Sequence, residues 1–104
     1  MTAIIAGTDQ AAAGVYTALH ELDLAIPDDI SVVGFNDTHG ELLTPQLSSV
    51  REFPEELSRH LAEFVLARLQ GPGRPPQVLT IPTRLVPRES VRMLPGVETP
   101  ARRA

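Results

Sequence analysis

Two apolar runs in the N-terminal third of the chain each end in polar residues, and these side chains are the best placed to do chemistry. Thr8 and Asp9 follow the first run, and Asn36 and Asp37 follow the second, which is rich in β-branched and aromatic residues. A buried parallel strand that ends in this way delivers hydrogen-bonding side chains to a ligand crevice. We therefore expect the functional site just after Phe35.

Catalysis is the alternative use of the same side chains. Asp9, Asp37 and His39 would meet at one edge of a sheet, and a carboxylate beside a histidine can act as acid and base. The sequence has no nucleophile elbow and no phosphate-binding glycine loop. His20, His39 and His60 lack the spacing of metal ligands and are predicted to be surface residues. Cysteine is absent, which excludes disulfides and thiol catalysis. We expect a protein that is not an enzyme and has neither cofactor nor metal.

The elements that position the polar residues follow from the pattern of apolar residues. Residues 3–7 predict a strand, Thr8 is a candidate helix N-cap, and residues 9–22 predict a helix. Residues 30–35 predict a second strand, so this segment forms a βαβ unit with parallel strands. The predicted fold class is α/β, built on a parallel sheet, with both polar clusters at the carboxyl edge of its strands.

The predicted first helix presents one apolar stripe, made of Ala11, Val15, Ala18 and Leu22 and widened by Ala12 and Leu19. Further along the chain, the patterns predict a strand at 47–50, a helix at 55–70 preceded by Pro54, and strands at 77–81 and 84–90. The tail after Met93 is predicted to be mobile.

Composition narrows the class of protein. The chain has 104 residues, 42% of them hydrophobic and 21% charged, which is typical of one small globular domain. Its net charge is −4 and its nine basic residues are arginines scattered along the chain, so it lacks the basic face that binds nucleic acid. No apolar run approaches the roughly 20 residues that cross a bilayer, and the opening residues do not form a secretion signal. We expect a cytoplasmic protein without membrane contact.

Four motifs follow one another along the chain: AGTDQ at 6–10 with AG at 13–14, IPDDISVVGFND at 26–37, LTPQLSSV at 43–50 and TRLVPRES at 83–90. In this order and spacing they resemble the C-terminal third of LacI-family transcriptional repressors, whose effector-binding core is similar to type I periplasmic sugar-binding proteins. The resemblance extends over nearly the whole chain except the last dozen residues.

The resemblance implies a partial type I periplasmic-binding-protein-like fold, in which an effector crevice lies between two α/β subdomains. Residues 1–49 would belong to the C-terminal subdomain, and residues 50–82 would supply a helix and a strand to the N-terminal subdomain. Residues 83–92 would return as a strand, and residues 93–104 would form the mobile tail. The family's N-terminal helix-turn-helix has no counterpart in this sequence, so DNA binding is expected only through that missing part.

The resemblance also implies which residues meet the effector. The family's effector-contacting residue, usually Asp, falls on Asn36, whose amide both donates to and accepts from a sugar hydroxyl. Thr8 stands where the family usually has Asn, Asp9 matches the acid of its motif, and Asp37 completes the predicted effector-binding set. The alternatives are structural: Asp9 would cap the helix or its preceding loop, and Asp37 would be a turn residue.

The function implied is that of the effector-binding and dimerisation portion of a transcriptional regulator that senses a sugar or another small molecule. Ala13, Thr17 and Leu42 are expected at the interface of a homodimer. The alternative is a stand-alone dimerisation remnant, or a small-molecule-binding module with no role in transcription.

Overall fold

In the computed structural model, which describes residues 1–97, the chain forms a four-stranded sheet and two helices. The elements are β1 (Ala3–Ile5), α1 (Asp9–Glu21), β2 (Ser31–Phe35), β3 (Ser48–Arg51), α2 (Pro54–Gln70) and β4 (Arg84–Val86), with a short 3-10 helix at Gly40–Leu42. The predicted α/β class with a parallel βαβ unit is confirmed. The part of the predicted tail beyond Val97 lies outside the described residues.

The strands lie in the order β1-β2-β3-β4. The first three are parallel, with Ile4 opposite Val32 and Gly34 opposite Ser49. β4 runs antiparallel to β3 and forms an edge of the sheet, a position that suits the nearby Pro87, which has no N–H to donate. Because β1, β2 and β3 point the same way, the residues that follow them collect at one edge of the sheet, where the polar clusters were predicted.

The core lies between α1 and one face of the sheet. Ala12 and Leu19 of α1 pack with Val32 of β2 and with Leu47, and each of these four side chains is at most 5% exposed. The small side chain of Ala12 brings the helix close to the strands. Complete burial of aliphatic side chains such as Leu47 stabilises a fold by about 1.5–3 kcal/mol each.

The rotation of α1 differs from the prediction. Ala11 and Ala18 are exposed and Leu22 is 68% exposed, so the residues predicted to flank the stripe, Ala12 and Leu19, are in fact its buried centre. The reason lies at the first residue of the helix. Asp9 is fully buried and hydrogen-bonded to the sheet side, which fixes the helix with Asp9, not Ala11, facing inward.

The other face of the sheet is the more exposed one. Ile5 alternates with the inward-facing Ile4 and is 81% exposed, and Leu85 of the edge strand is 55% exposed. Val33 and Phe35 are half-buried on this side. The sheet thus buries one face against α1 and leaves an apolar face open in this chain, whereas parallel sheets are usually covered on both faces.

The predicted strand at 84–90 is shorter than expected, because regular strand structure ends at Val86. Beyond Pro87, hydrogen bonds of side-chain hydroxyls connect the segment to the sheet. Ser90 Oγ donates to the carbonyl of Val32 at 2.5 Å and accepts from the N–H of Ser48 at 2.8 Å. The carbonyl of Ser90 accepts from the N–H of Val32 at 2.9 Å. One fully buried serine therefore joins this segment to both β2 and β3.

The second helix forms where the pattern predicted it but has no buried residue. Its apolar stripe is exposed: Leu57 by 40%, Leu61 by 54%, Val65 by 58% and Leu69 by 73%. The predicted strand at 77–81 is wrong for the described chain, in which Val78 is 94% exposed and the segment joins no sheet. A strand requires a neighbouring strand for its hydrogen bonds, and residues 1–97 supply none at this position.

None of the helices described in residues 1–97 has both the length and the apolar composition needed to cross a membrane.

Candidate functional site

The turn after β2 holds two consecutive residues in the left-handed region. Asn36 has φ 81° and Asp37 has φ 52°, values that Asn and Asp tolerate better than other side chains. The N–H of Asn36 donates to the carbonyl of Val50 at 2.9 Å, and the N–H of Asp37 donates to Ser49 Oγ at 3.1 Å. The half-buried Asn36 side chain accepts a hydrogen bond from Thr38 Oγ1 at 3.0 Å. The turn is thereby fixed to β3.

The carboxylate of Asp37 lies between two arginines from distant parts of the chain. Its side chain is 1% exposed; Oδ2 accepts a hydrogen bond from Nε of Arg51 at 2.8 Å and lies 2.6 Å from Nη2 of the same arginine. Nη1 of Arg88 donates to Oδ1 at 2.6 Å and to the carbonyl of Leu47 at 2.8 Å. Arg88 passes so close to Gly40 that a methyl group there would overlap its guanidinium. Asp37 thus ties the turn to the end of β3 and to the segment after β4.

These contacts decide how Asp37 titrates. Burial alone disfavours its ionised form, but the hydrogen bonds from Arg88 and Arg51 outweigh burial and hold the pKa of Asp37 below its usual value. The hydrogen bond with Asp37 also raises the pKa of Arg88. The ion pair therefore persists at neutral pH.

We expect the ion pair to make stability depend on pH in the acid range. Because the folded pKa of Asp37 is lowered, its stabilising contribution is present above the unfolded pKa of about 3.9 and is lost as pH falls through the folded value. Urea unfolding of the chain and of an Asp37→Asn variant at pH 7, 5, 4 and 3 would measure this. The difference between their unfolding free energies should stay constant from pH 7 to 5 and narrow below pH 4; a constant difference down to pH 3 would contradict the assignment.

Asp9 is a second buried carboxylate beside the same turn. It is fully buried, and its Oδ1 accepts from Ser49 Oγ at 2.5 Å while its Oδ2 accepts from the N–H of His39 at 2.9 Å. Gly34 faces it from β2, where a methyl group would overlap Asp9 Oδ1 and the side chain of Leu47. Asp9 therefore holds the start of α1, β3 and the loop after β2 together. The predicted structural alternative, in which Asp9 caps the helix or its preceding loop, is wrong in its partners, since Thr8 is the N-cap.

Thr8 is exposed at the carboxyl end of β1 and caps α1. Its Oγ1 accepts a hydrogen bond from the N–H of Ala11 at 3.0 Å, so the predicted N-cap is confirmed. The hydroxyl proton of a threonine in this role remains available as a donor. Of the predicted effector-binding residues, Thr8 and Asn36 thus have accessible polar atoms, whereas the carboxylates of Asp9 and Asp37 are enclosed.

The histidines do not complete an acid–base pair. Asp9 contacts the backbone N–H of His39, and the exposed imidazole lies 2.8 Å from Thr38 Oγ1. His20 is exposed on α1, and His60 lies on α2 near Glu63, with 24% of its side chain exposed. In residues 1–97 no three His, Asp or Glu side chains are grouped to hold a metal ion.

An open depression of about 410 Å³ lies beside the turn. It is lined by Asn36, Asp37, Thr38, Arg51, Glu52, Phe53, Pro54 and Glu55. Sequence reasoning found Asn36 and Asp37 but gave no role to Arg51, Arg88 or Ser49. A buried carboxylate requires a cationic or hydrogen-bonding partner, yet nothing in separations of 14 and 51 residues identifies these arginines in advance.

Comparison with protein families and with named proteins shows which proteins this chain resembles. The model of the periplasmic binding protein-like domain matches residues 1–91. The lactose operon repressor of Rhizobium radiobacter is 41% identical over 92 residues, which are 86% of this chain and 80% of that protein. The HTH-type transcriptional repressor PurR of Glaesserella parasuis is 36% identical over 100 residues, which are 89% of this chain but 29% of that protein.

Solved structures show the same similarity. A LacI family regulator from Arthrobacter sp. FB24 in complex with lactose is 35% identical with a TM-score of 0.75, covering 88% of this chain and 36% of that one. A LacI family regulator from Enterococcus faecium with bound ribose is 30% identical with a TM-score of 0.75, and the chains overlap by 86% and 34%. A CelR–cellobiose complex is 30% identical with a TM-score of 0.80, covering 86% and 28%. The chain thus spans about a third of these structures.

The relatives are repressors and regulators of transcription, and the matching domain is a binding-protein domain. The prediction that the chain is not an enzyme is confirmed.

Proposed function

The chain belongs to the LacI family of transcriptional regulators, within the periplasmic binding protein-like domain, and we propose that it forms the C-terminal part of an effector-binding core that senses a sugar. The observation that carries this proposal is the turn after β2. It places Asn36 in the lining of an open depression at the carboxyl edge of a parallel sheet, where α/β proteins bind their ligands. Three solved relatives hold ribose, cellobiose or lactose.

Asn36 is the residue we propose to contact the effector. Its Oδ1 already accepts from Thr38, which orients the amide and leaves the NH₂ group to donate to a sugar oxygen. Thr8 contributes a hydroxyl from the neighbouring strand end. Asp9 and Asp37 belong to the same predicted set, but their carboxylate oxygens already accept hydrogen bonds or ion pairs from protein groups. We therefore propose that they hold the site in shape and do not contact the effector themselves.

The division into subdomains is also a proposal. Residues 1–49 and 83–92 would belong to the C-terminal subdomain, because they contain β1, β2, β4 and the first half of β3, which lie in one sheet. Residues 50–82 would belong to the N-terminal subdomain, because the apolar stripe of α2 and Val78 are exposed and require a partner outside residues 1–97. Effector binding between two such subdomains would favour one of their relative arrangements, which attached DNA-binding heads would read. Such heads would come from an N-terminal helix-turn-helix.

Dimerisation through α1 and the loop after β2 stays a prediction. Leu42 is 77% exposed, and Thr17 Oγ1 donates to the carbonyl of Ala13 at 3.2 Å along an exposed face of the helix. These positions are accessible for a second copy of the chain. The alternative of a stand-alone dimerisation remnant would use the same surface.

We expect Asn36→Ala to weaken sugar binding about tenfold, the loss that one or two hydrogen bonds to a bound ligand account for. Isothermal titration calorimetry with ribose, lactose and cellobiose would measure the affinity. Gln70→Ala is the matched control, because it removes an exposed amide from the end of α2 and should leave the affinity unchanged. Equal affinity of the chain and its Asn36→Ala variant for a sugar that binds would remove Asn36 from the site. Failure of all three sugars to bind would count against a sugar site in this chain.

A further inference from the structure

We infer that Arg51 is a positioning residue for effector binding: through the Asp37 carboxylate it keeps Asn36 in its place in the lining of the depression. This role rests on the proposed effector site, since Asn36 is the group that is held. Arg51 touches Asp37 from the end of β3, and Asp37 follows Asn36 directly in the chain. The guanidinium thus acts on the site through a neighbour.

The turn requires such support because its backbone is strained. Two consecutive non-glycine residues lie in the left-handed region, which is unfavourable even for Asn and Asp, and such conformations persist only where surrounding contacts hold them. The backbone hydrogen bonds to Val50 and to Ser49 Oγ supply part of that hold. The hydrogen bond from Arg51 Nε and the ion-pair contact of its Nη2 also restrain the Asp37 side chain, which the backbone bonds do not.

The two arginines that contact Asp37 differ in exposure. Because of this difference, we expect Arg88 to matter mainly for folding and Arg51 mainly for the position of the turn. The Arg88 side chain is 8% exposed and also bonds the carbonyl of Leu47, so its loss would disturb the core. The Arg51 side chain is 39% exposed and lines the depression beside Asn36. Removing Arg51 leaves Asp37 paired with Arg88, so the chain should fold while the turn gains freedom.

The position of Arg51 in the chain connects its contact with Asp37 to the start of α2. It is the last residue of β3, and α2 begins three residues later at Pro54. The Asp37–Arg51 pair therefore ties the effector-contacting turn to the point where the chain leaves the sheet for α2. A ligand that orders Asn36 would act on that departure point through the same pair.

Amide hydrogen exchange, followed by NMR on the complete chain without ligand, tests the positioning role directly. In Arg51→Gln we expect exchange of the Asn36 and Asp37 N–H groups to quicken about two- to fivefold, the range that an ion pair of this exposure supports, with no change at Val32 in the core. Arg51→Lys, which retains the charge, should restore part of the protection. Unchanged exchange at both turn residues in Arg51→Gln would overturn the inference.

Arg84→Gln is the matched control. Arg84 lies opposite Arg51 in the register of β3 and β4, is exposed, and forms no ion pair in residues 1–97, so this variant removes the same charge without touching Asp37. Exchange at the turn should not respond to it; an equal response would make the effect one of net charge and overturn the inference. Calorimetry with whichever of ribose, lactose or cellobiose binds should show Arg51→Gln weaker by a similar two- to fivefold.

The two measurements separate the positioning role from the proposed function. Exchange needs no sugar, so it decides whether Arg51 holds the turn even if Asn36→Ala leaves sugar affinity unchanged. If exchange in Arg51→Gln is faster but the sugar affinity is unchanged, Arg51 holds the turn without affecting effector binding. That result would overturn the inference.

Discussion

Replacing Asp37 with alanine is expected to lower the free energy of unfolding by about 3–5 kcal/mol, the cost of leaving a buried ion-pair partner uncompensated. Arg88 bears most of that cost, because its side chain is 8% exposed and would keep only the exposed Glu41 carboxylate, 3.8 Å from its Nη2. Arg51, with 39% of its side chain exposed, can turn to water and contributes little. Urea unfolding at pH 7, followed by circular dichroism, would measure the change.

Asp28→Ala is the control for the loss of a carboxylate, because Asp28 is exposed and should change stability by less than about 0.5 kcal/mol. A double variant, Asp37→Ala with Arg88→Met, tests the cause. If the unpaired guanidinium is responsible, replacing it with an apolar side chain should recover a large part of the loss. A double variant no more stable than Asp37→Ala would show that the carboxylate matters for some other reason, such as the conformation of the turn.

The elements that local patterns specify were predicted from the sequence, and those that depend on distant partners were not. The βαβ unit follows from apolar runs and a helical period, and the N-cap at Thr8 from its residue type. The rotation of α1 was predicted one residue away from the observed one, since the buried Asp9 breaks the rule that charged residues face water. The segment 77–81 has the composition of a strand, but strand formation depends on a neighbour that the described chain does not provide.

In the candidate site, too, local features were predicted and contacts with distant residues were not. Asn36 and Asp37 were located because the carboxyl end of a buried strand is a position that sequence reveals. Their conformations and partners were not, because Arg51 and Arg88 lie 14 and 51 residues from Asp37 and meet it only in the folded sheet. The same limit applies to Ser49, whose hydroxyl joins Asp9 to the N–H of Asp37. Residues at the end of a buried strand can therefore be predicted from the sequence more readily than the distant residues that hold them in position.

Ser90→Ala is expected to destabilise the chain by about 2–4 kcal/mol, although it removes a single oxygen atom. Ser90 is fully buried, and its hydroxyl donates to the Val32 carbonyl while accepting from the N–H of Ser48. Alanine would leave both backbone groups buried without a partner, and each such group costs about 1–3 kcal/mol. Because the two groups belong to β2 and β3, the loss of these hydrogen bonds would destabilise the centre of the sheet.

Ser58→Ala is the matched control for this prediction. Its hydroxyl also bonds a backbone carbonyl, that of Pro54 at 2.6 Å, but on an exposed helix where water can replace it. Its effect on the unfolding free energy should stay within about 0.5 kcal/mol. If Ser90→Ala were equally mild, a water molecule or a shift of the segment after β4 would have to satisfy Val32 and Ser48. The hydroxyl would then not be what joins that segment to the sheet. The position of Arg88, two residues before it, would have to be fixed by Asp37, by the Leu47 carbonyl and by Ser48 Oγ, which accepts from the N–H of Arg88 at 2.8 Å.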